Sequence, residues 1–332
     1  MKITLTGSLG HISKPLAEAL VKKGHQVTVI STNPEKKKDI EALGATAAIG
    51  SVEDAGFLTK AFTGADVVYT MIPPASYFNP AFDVWAYCDK LANNFVQAIR
   101  NSGVKRVVHL SSIGAHMDKG SGLILLHRKM EQALDSLSDV GITFMRPTGF
   151  YYNLYPNIGM IKQQGFIGAN YGEDDRIVWV APEDIAVATG EEIEAIAVMP
   201  TPASAPTTAS GSIPAAASAP TTGGGSTSPA GTALRKIRYV GSDELTCSET
   251  ARILGEAIGK PDLKWLIIPG EQMLGGLIAA GMKADIAEGL VEMYAAVHDG
   301  SMREDYDRHR PALGKIKMTD FAKDFAAAYA GN

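Results

Sequence analysis

Two short stretches of this 332-residue chain carry residue types at spacings that do chemistry. The first is Thr6-Gly7-Ser8-Leu9-Gly10-His11-Ile12-Ser13, where an apolar, β-branched run gives way to the helical pattern that follows. Gly7 permits a tight turn, Gly10 lets a pyrophosphate approach the backbone, and the helix start offers unpaired N–H donors with a favourable dipole. Spaced glycines gain meaning from a strand-to-helix crossover, and a ligand-free tight turn is the competing reading. The second stretch holds His127 and Glu131, one helical turn apart on a common face. There a carboxylate can orient an imidazole or raise its pKa, making His127 a proton donor and the pair a candidate catalytic unit. Such i,i+4 pairs are also ordinary features of helix surfaces.

Other residues bear on what such a site accepts. The second strand ends in Ile30-Ser31-Thr32-Asn33, with no acid to select an unphosphorylated adenosine ribose. Ser31, Thr32 and Asn33 offer neutral hydrogen bonds, and Lys36, Lys37 and Lys38 follow where they can attract a 2′-phosphate, which favours NADP(H) over NAD(H). A solvated helix face is the other fate of such a lysine run. Aromatic residues gather on two predicted loops, Tyr77-Phe78 after Pro73-Pro74, and Phe150-Tyr151-Tyr152 ahead of Asn153. If both loops overhang one site, they make a flat apolar pocket able to stack a quinone-like ring, with Asn153 free for a carbonyl. Packing between lobes is the alternative for these rings, and core filling is the alternative for Met273 and Met282 on the distal side.

The elements that position these residues follow a regular rhythm. Strand-like runs at Ile3-Thr6, Val27-Ile30, Ala45-Ile49, Val67-Met71, Val107-Leu110 and Ile142-Met145 alternate with helical patterns at Lys14-Lys23, Glu35-Leu43, Glu53-Phe62, Phe82-Arg100 and Leu123-Leu137. Repeated βα units predict an α/β fold, a doubly wound parallel Rossmann sheet over residues 1–150. Beyond it the spacing predicts helices around Glu183-Ile196, Ser248-Ile258 and Met273-His298, with Thr246 and Glu249 placed as a capping box. These make a smaller, mostly helical substrate lobe of residues 151–199 and 234–332, with parts returning to the sheet. Residues 200–233 are Pro, Ala, Ser, Thr and Gly with Ile213 as the only larger apolar side chain. That composition buries too little surface to offset ordering and predicts a flexible tether, natural or engineered.

Composition narrows the function. Acidic residues outnumber basic ones by 36 to 31, so overall electrostatics oppose a nucleic-acid backbone. Two distant cysteines, Cys88 and Cys247, form neither a disulfide framework nor a zinc motif and suit a reducing, cytoplasmic setting. No signal-like segment opens the chain, and its longest apolar patch, Met273 to Met282, is shorter than the roughly 20 residues of a membrane span. Nucleophile-elbow, Walker and His-Glu-x-x-His motifs are absent, so hydrolase, nucleotidase and zinc-enzyme readings lose their basis and no metal is expected.

Three segments together resemble the NmrA-like atypical short-chain dehydrogenases/reductases: Thr6 to Ser13, Val107-Val108-His109-Leu110-Ser111-Ser112-Ile113-Gly114-Ala115, and Met145-Arg146-Pro147-Thr148-Gly149-Phe150-Tyr151-Tyr152-Asn153. Pro182-Glu183-Asp184-Ile185-Ala186 is similar to a later helix start of that family. The resemblance implies a nicotinamide dinucleotide along the carboxyl edge of the sheet. Gly7, Ser8, Leu9, Gly10, His11 and Ile12 would surround the pyrophosphate, and Thr32 and Asn33 would lie by the adenosine ribose. Met71, Ile72 and Pro73 would flank the cofactor, Ser111 and Ser112 would approach the nicotinamide, and Pro147, Gly149 and Phe150 would cover it. Ser13 departs from the family by standing where many members have glycine, which puts close helix-to-sheet packing in question. Typical short-chain dehydrogenases use Tyr-x-x-x-Lys as an acid–base pair, and none of the eleven tyrosines has a lysine four residues on. The expected function is therefore an NADP(H)-dependent oxidoreductase for a small molecule, a quinone or other conjugated carbonyl. A non-catalytic NAD(P)-sensing regulator is the alternative, and a nicotinamide-recycling isomerase or dehydratase the third reading.

Overall fold

The computed structural model describes residues 1–74, 78–79, 81–198 and 233–331. Tyr77 and residues 200–232 of the expected tether lie outside them. Strands form at β1 (Lys2–Leu5), β2 (Gln26–Ser31), β3 (Thr46–Ile49), β4 (Val67–Met71), β5 (Arg106–Leu110) and β6 (Gly141–Pro147). Most are apolar on both faces, as a parallel sheet covered by helices on each side demands. Between them run α1 (Ser13–Lys22), α2 (Lys36–Ala42), α3 (Ala55–Phe62), α4 (Val84–Ser102) and α5 (Leu125–Asp135). Asp54 and Asp83 start α3 and α4 by accepting backbone N–H bonds, and Gly103, at φ 75°, ends α4 in the left-handed region.

The chain then forms β7 (Gly149–Phe150), α6 (Asn157–Gln164), β8 (Ile167–Ala169), β9 (Arg176–Val180), α7 (Pro182–Val198), β10 (Arg235–Val240), β11 (Asp243–Thr246), α8 (Cys247–Ala257) and β12 (Trp265–Ile267). It ends with α9 (Gly270–Ala279), α10 (Ala284–His298), α11 (Glu304–Arg308) and α12 (Met318–Gly331). The central sheet has seven strands in the order β10-β6-β5-β4-β1-β2-β3, parallel throughout. Its seventh member, β10, escapes the sequence pattern because Arg235, Lys236 and Arg238 charge an edge strand, a common protection of sheet edges.

The remainder holds more strand than expected: β11, β9 and β7 form one small sheet, and β12 and β8 another. They enclose a separate core with α6, α8 and α12. The predicted capping box forms, Thr246 Oγ1 accepting from Glu249 N at 3.0 Å and Glu249 Oε2 accepting from Thr246 N at 2.7 Å. The single helix expected over Met273-His298 is instead α9 and α10, broken at Gly281, whose φ of 91° no helix accommodates.

The sheet order sets the site. After β3 the chain crosses back to the other side of β1, so the carboxyl ends of β1 and β4 flank the point where the winding reverses, and a crevice opens there. Thr6 stitches those ends together: its N–H reaches Tyr69 O at 3.0 Å and its Oγ1 accepts from Met71 N at 3.1 Å.

Candidate functional site

The turn after β1 requires its glycines. Gly7 sits at φ 92°, and a Cβ there would stand 2.5 Å from Met71 Sδ and 2.6 Å from Ser13 Oγ. A Cβ on Gly10 would lie 3.1 Å from the Gly7 carbonyl. Gly10 N donates back to Gly7 O at 3.1 Å, closing the turn, and α1 then starts without a side-chain cap. Among the described residues, the amides of His11, Ile12 and Ser13 find no acceptor. A bare backbone approach, free N–H groups and the positive end of a helix of 10 residues fit a pyrophosphate. Ser13 does not loosen this junction. It is buried and its hydroxyl donates to Thr6 O at 3.0 Å, so close helix-to-sheet contact is kept with a serine in place of a third glycine.

The predicted adenosine edge lies beside it. Ser8 Oγ donates to Ser31 Oγ at 2.9 Å, tying the turn to the end of β2, and Ser31 Oγ in turn accepts from Asn33 N at 3.2 Å. Asn33 Oδ1 is occupied by Glu35 N at 2.9 Å, which leaves its amide group and the exposed Thr32 hydroxyl for a ribose. Met71, Ile72 and Pro73 leave β4 on the same edge, with Met71 packed against Gly7. Ser111 and Ser112 follow β5, Pro147 ends β6 and Gly149 and Phe150 come just after it, so the topology gathers these residues along one rim.

The His127–Glu131 unit does not form. Glu131 is buried and turns to Arg146, which donates to it from Nε at 3.0 Å and from Nη2 at 2.7 Å. Ser111 Oγ donates to the same carboxylate at 2.6 Å, so the proton of that hydroxyl is committed to the network. Arg146 Nη1 reaches Tyr239 Oη at 3.1 Å and Asp305 at 3.0 Å, and Tyr239 donates to Asp305 at 2.6 Å. A planar, always-charged fork suits such a bidentate buried partner better than a neutral imidazole does. Burial opposes the Arg146 charge, but the bond to Glu131 outweighs it and holds the guanidinium firmly protonated. His127 is left without a partner at Nδ1, and burial drives its pKa down to about 4, the reverse of the expected rise. It is neutral at neutral pH. His109 behaves alike: burial, then the nearby His127, lowers it to about 3, with Thr70 Oγ1 bonded to its Nδ1 at 2.9 Å. Arg146 lies in a quoted motif, and a charge inside an otherwise apolar strand was the available signal for this network.

The aromatic residues divide. Tyr151 belongs to the core of the second lobe: it is buried, stacks on Phe321 at 5.3 Å, and donates its hydroxyl to Ile316 O at 3.1 Å. Tyr152 instead stacks on His11 at 5.1 Å and packs against Phe150 at 5.0 Å, their planes 30° apart, which sets the two rings beside the glycine turn. Burial raises its hydroxyl pKa to about 12. Asn153 and Phe78 are exposed. Met282 packs against the buried cluster of Val84, Cys88, Leu123, Leu126 and Ile286, as Ile72 and Phe82 also do.

Among the described residues there is no group of three or more His, Cys, Asp or Glu that could hold a metal, and no helix long and apolar enough to cross a membrane. Fold and site together define a dinucleotide-binding α/β protein. Residues 7–165 match a domain family described as NAD(P)H-binding. The whole chain is 22% identical to an NAD(P)H azoreductase from Xenophilus azovorans, over 98% of this chain and 99% of that one. In structure it is similar to a triphenylmethane reductase from Citrobacter sp., with a TM-score of 0.70 and 19% identity over 98% of this chain and 100% of the other. It is also similar to an NADPH-dependent quinone oxidoreductase from Escherichia coli complexed with NADPH, with a TM-score of 0.71 and 19% identity over 97% of this chain and 99% of that one.

Proposed function

We propose that this NAD(P)H-dependent oxidoreductase passes hydride from NADPH to a quinone or another conjugated carbonyl. The observation that carries the reading is that Glu131 is committed to Arg146 while burial keeps His127 neutral, so this pair supplies no strong proton donor of the kind that reduction of a simple ketone uses. A conjugated acceptor spreads the incoming electron pair over its ring, and its anion takes a proton from solvent, so alignment matters more than a strong donor.

A bound nicotinamide supplies the hydride; the chain supplies position. The amides of His11, Ile12 and Ser13 hold the pyrophosphate, Thr32 and Asn33 take the adenosine ribose, and Met71, Ile72 and Pro73 flank the nucleotide. Ser112, Pro147, Gly149 and Phe150 border the nicotinamide half. The Tyr152 ring, supported by Phe150, offers an aromatic face against which a planar acceptor aligns. Phe78 and Asn153 remain candidates for the outer side of that pocket. Relatives named for azo, triphenylmethane and quinone reduction support this choice of acceptor.

The test is anaerobic NADPH oxidation with matched panels of quinones and of simple ketones and aldehydes. Turnover confined to the quinones is expected. Turnover of simple ketones would refute the reading, and NADPH binding without oxidation of any acceptor would favour a cofactor sensor.

A further inference from the structure

A cavity of about 270 Å3 opens where the glycine turn meets the second lobe. Its walls are aromatic: Tyr151, Tyr152, Tyr155 and Phe321. Phe321 contacts Tyr151 at 5.3 Å and Tyr155 at 5.2 Å, and Tyr152 is held by its stack on His11, so the walls are fixed by mutual packing. The volume falls just below the usual lower bound for small-molecule sites, about 300 Å3, which suits a small planar ligand.

The charged residues on this lining are all acidic: Glu183, Asp320 and Asp324, with no lysine or arginine among the described residues that line it. Asp320 is engaged, accepting from Lys317 N at 3.1 Å and from Lys323 at 3.2 Å. Glu183 and Asp324 make no ion pair among the described residues; Glu183 sits in the first turn of α7, and both stand exposed at the rim. The field of Asp324 reaches a ring: after burial, Asp324 is what raises the Tyr155 hydroxyl. Ring faces carry negative quadrupoles, and carboxylates at the rim add to them, so a cation is favoured and an anion repelled.

We propose that this cavity takes a flat organic cation, and that among conjugated acceptors the protein selects those carrying positive charge. The selection by charge rests on the acceptor reading above, through the shared Tyr152; the binding of the cation does not. For a quinone bearing a quaternary ammonium group, the balance is hydride from NADPH plus one proton from solvent, giving the hydroquinone and NADP+.

Two measurements separate the claims. In the absence of cofactor, calorimetric titration compares N-methylquinolinium with the near-isosteric neutral 1-methylnaphthalene. The cation is expected to bind about ten-fold tighter at low salt, within the range of a cation–π contact aided by charge. The preference shrinks as salt rises. Equal affinity, or tighter binding of the neutral ring, overturns the proposal. With NADPH, the ratio of kcat/KM for a trimethylammonium-bearing naphthoquinone to that for its sulfonate counterpart is then compared in the native protein and in a Glu183→Gln, Asp324→Asn double variant. The ratio should favour the cation and fall about five-fold in the variant, which loses two rim charges. A ratio near one in the native protein, or one unchanged by the variant, also overturns it. Tight binding of the cation with no turnover of any quinone would instead defeat the acceptor reading and leave the cavity's preference standing.

Discussion

Replacing Glu131 with Gln removes one charge from a place where it and Arg146 are each 3% exposed. The native carboxylate accepts two bonds from the guanidinium, at 3.0 and 2.7 Å, and one from Ser111 at 2.6 Å. A carboxamide offers one oxygen and two donors, so at least one of these three donors loses its acceptor. The guanidinium keeps Asp305 at 3.0 Å as its remaining counter-charge. Breaking a buried ion pair from one side costs about 3–5 kcal/mol, and the surviving aspartate puts the expected loss at the low end, about 3 kcal/mol. At about 2–4 °C per kcal/mol for chains of 150–250 residues, Tm falls by about 6–12 °C. Thermal unfolding followed by circular dichroism reads this directly. A Glu131→Leu, Arg146→Met double variant should lose less than Glu131→Gln alone, because the one charge it unpairs, Asp305, is 18% exposed and keeps its bond from Tyr239. The pH profile of turnover should keep its shape in Glu131→Gln, since this carboxylate does not tune His127. A Tm within about 2 °C of native, on the same scale, or a pH profile displaced by a full unit, would refute the network and restore the His127–Glu131 pair.

Further outcomes follow from the same geometry. His127 and His109 are held neutral by burial, at about 4 and about 3, against about 6.5 in an unfolded chain. The unfolded chain therefore binds more protons between these values, so stability is full above about 6.5 and falls as pH drops toward 4. Tm measured from pH 7 to pH 5 should decline, and less steeply in His127→Gln; a flat native profile would contradict the assignment. Lys36 and Lys37 pair with Asp39 and Glu41, at 3.2 and 3.9 Å, both at exposed sites. With Lys38 they form the only basic run near the end of β2 among the described residues. A Lys36→Ala, Lys38→Ala variant should weaken NADPH about five-fold at low salt and NADH hardly at all, the difference fading at high salt; equal effects on both would remove the case for a 2′-phosphate. Tyr151→Phe should cost about 1 kcal/mol of stability by orphaning Ile316 O and leave the KM for quinone unchanged, whereas Tyr152→Leu should raise that KM.

What the sequence disclosed follows burial and locality. The runs of β1 to β6 are apolar for stretches that only a covered parallel strand explains, and the turn at Gly7 and Gly10 is read from eight consecutive residues. The strand β10 was hidden because its charges mimic a loop, and it lies beyond a segment with no pattern at all. Glu131 and His127 share a helix face, yet the partner that decides their chemistry, Arg146, comes from β6, and Asp305 from α11 far along the chain. No spacing rule reports a contact of that range. Tyr151 and Tyr152 look interchangeable in a row of aromatics, but neighbouring residues in the short helical turn after β7 point to different surroundings, one into the lobe core and one onto His11. Asp324 and Phe321 reach the cavity from α12, which carried no motif.

The claim on which the rest stands is that the turn after β1 holds the pyrophosphate of a nicotinamide dinucleotide. A crystal structure of the protein soaked with NADPH tests it most directly. Pyrophosphate density within hydrogen-bond reach of the His11 and Ile12 amides, lost in Gly10→Asp where a side chain would fill the approach, is the predicted result. Dinucleotide density away from that turn, or density there that survives Gly10→Asp, would contradict it.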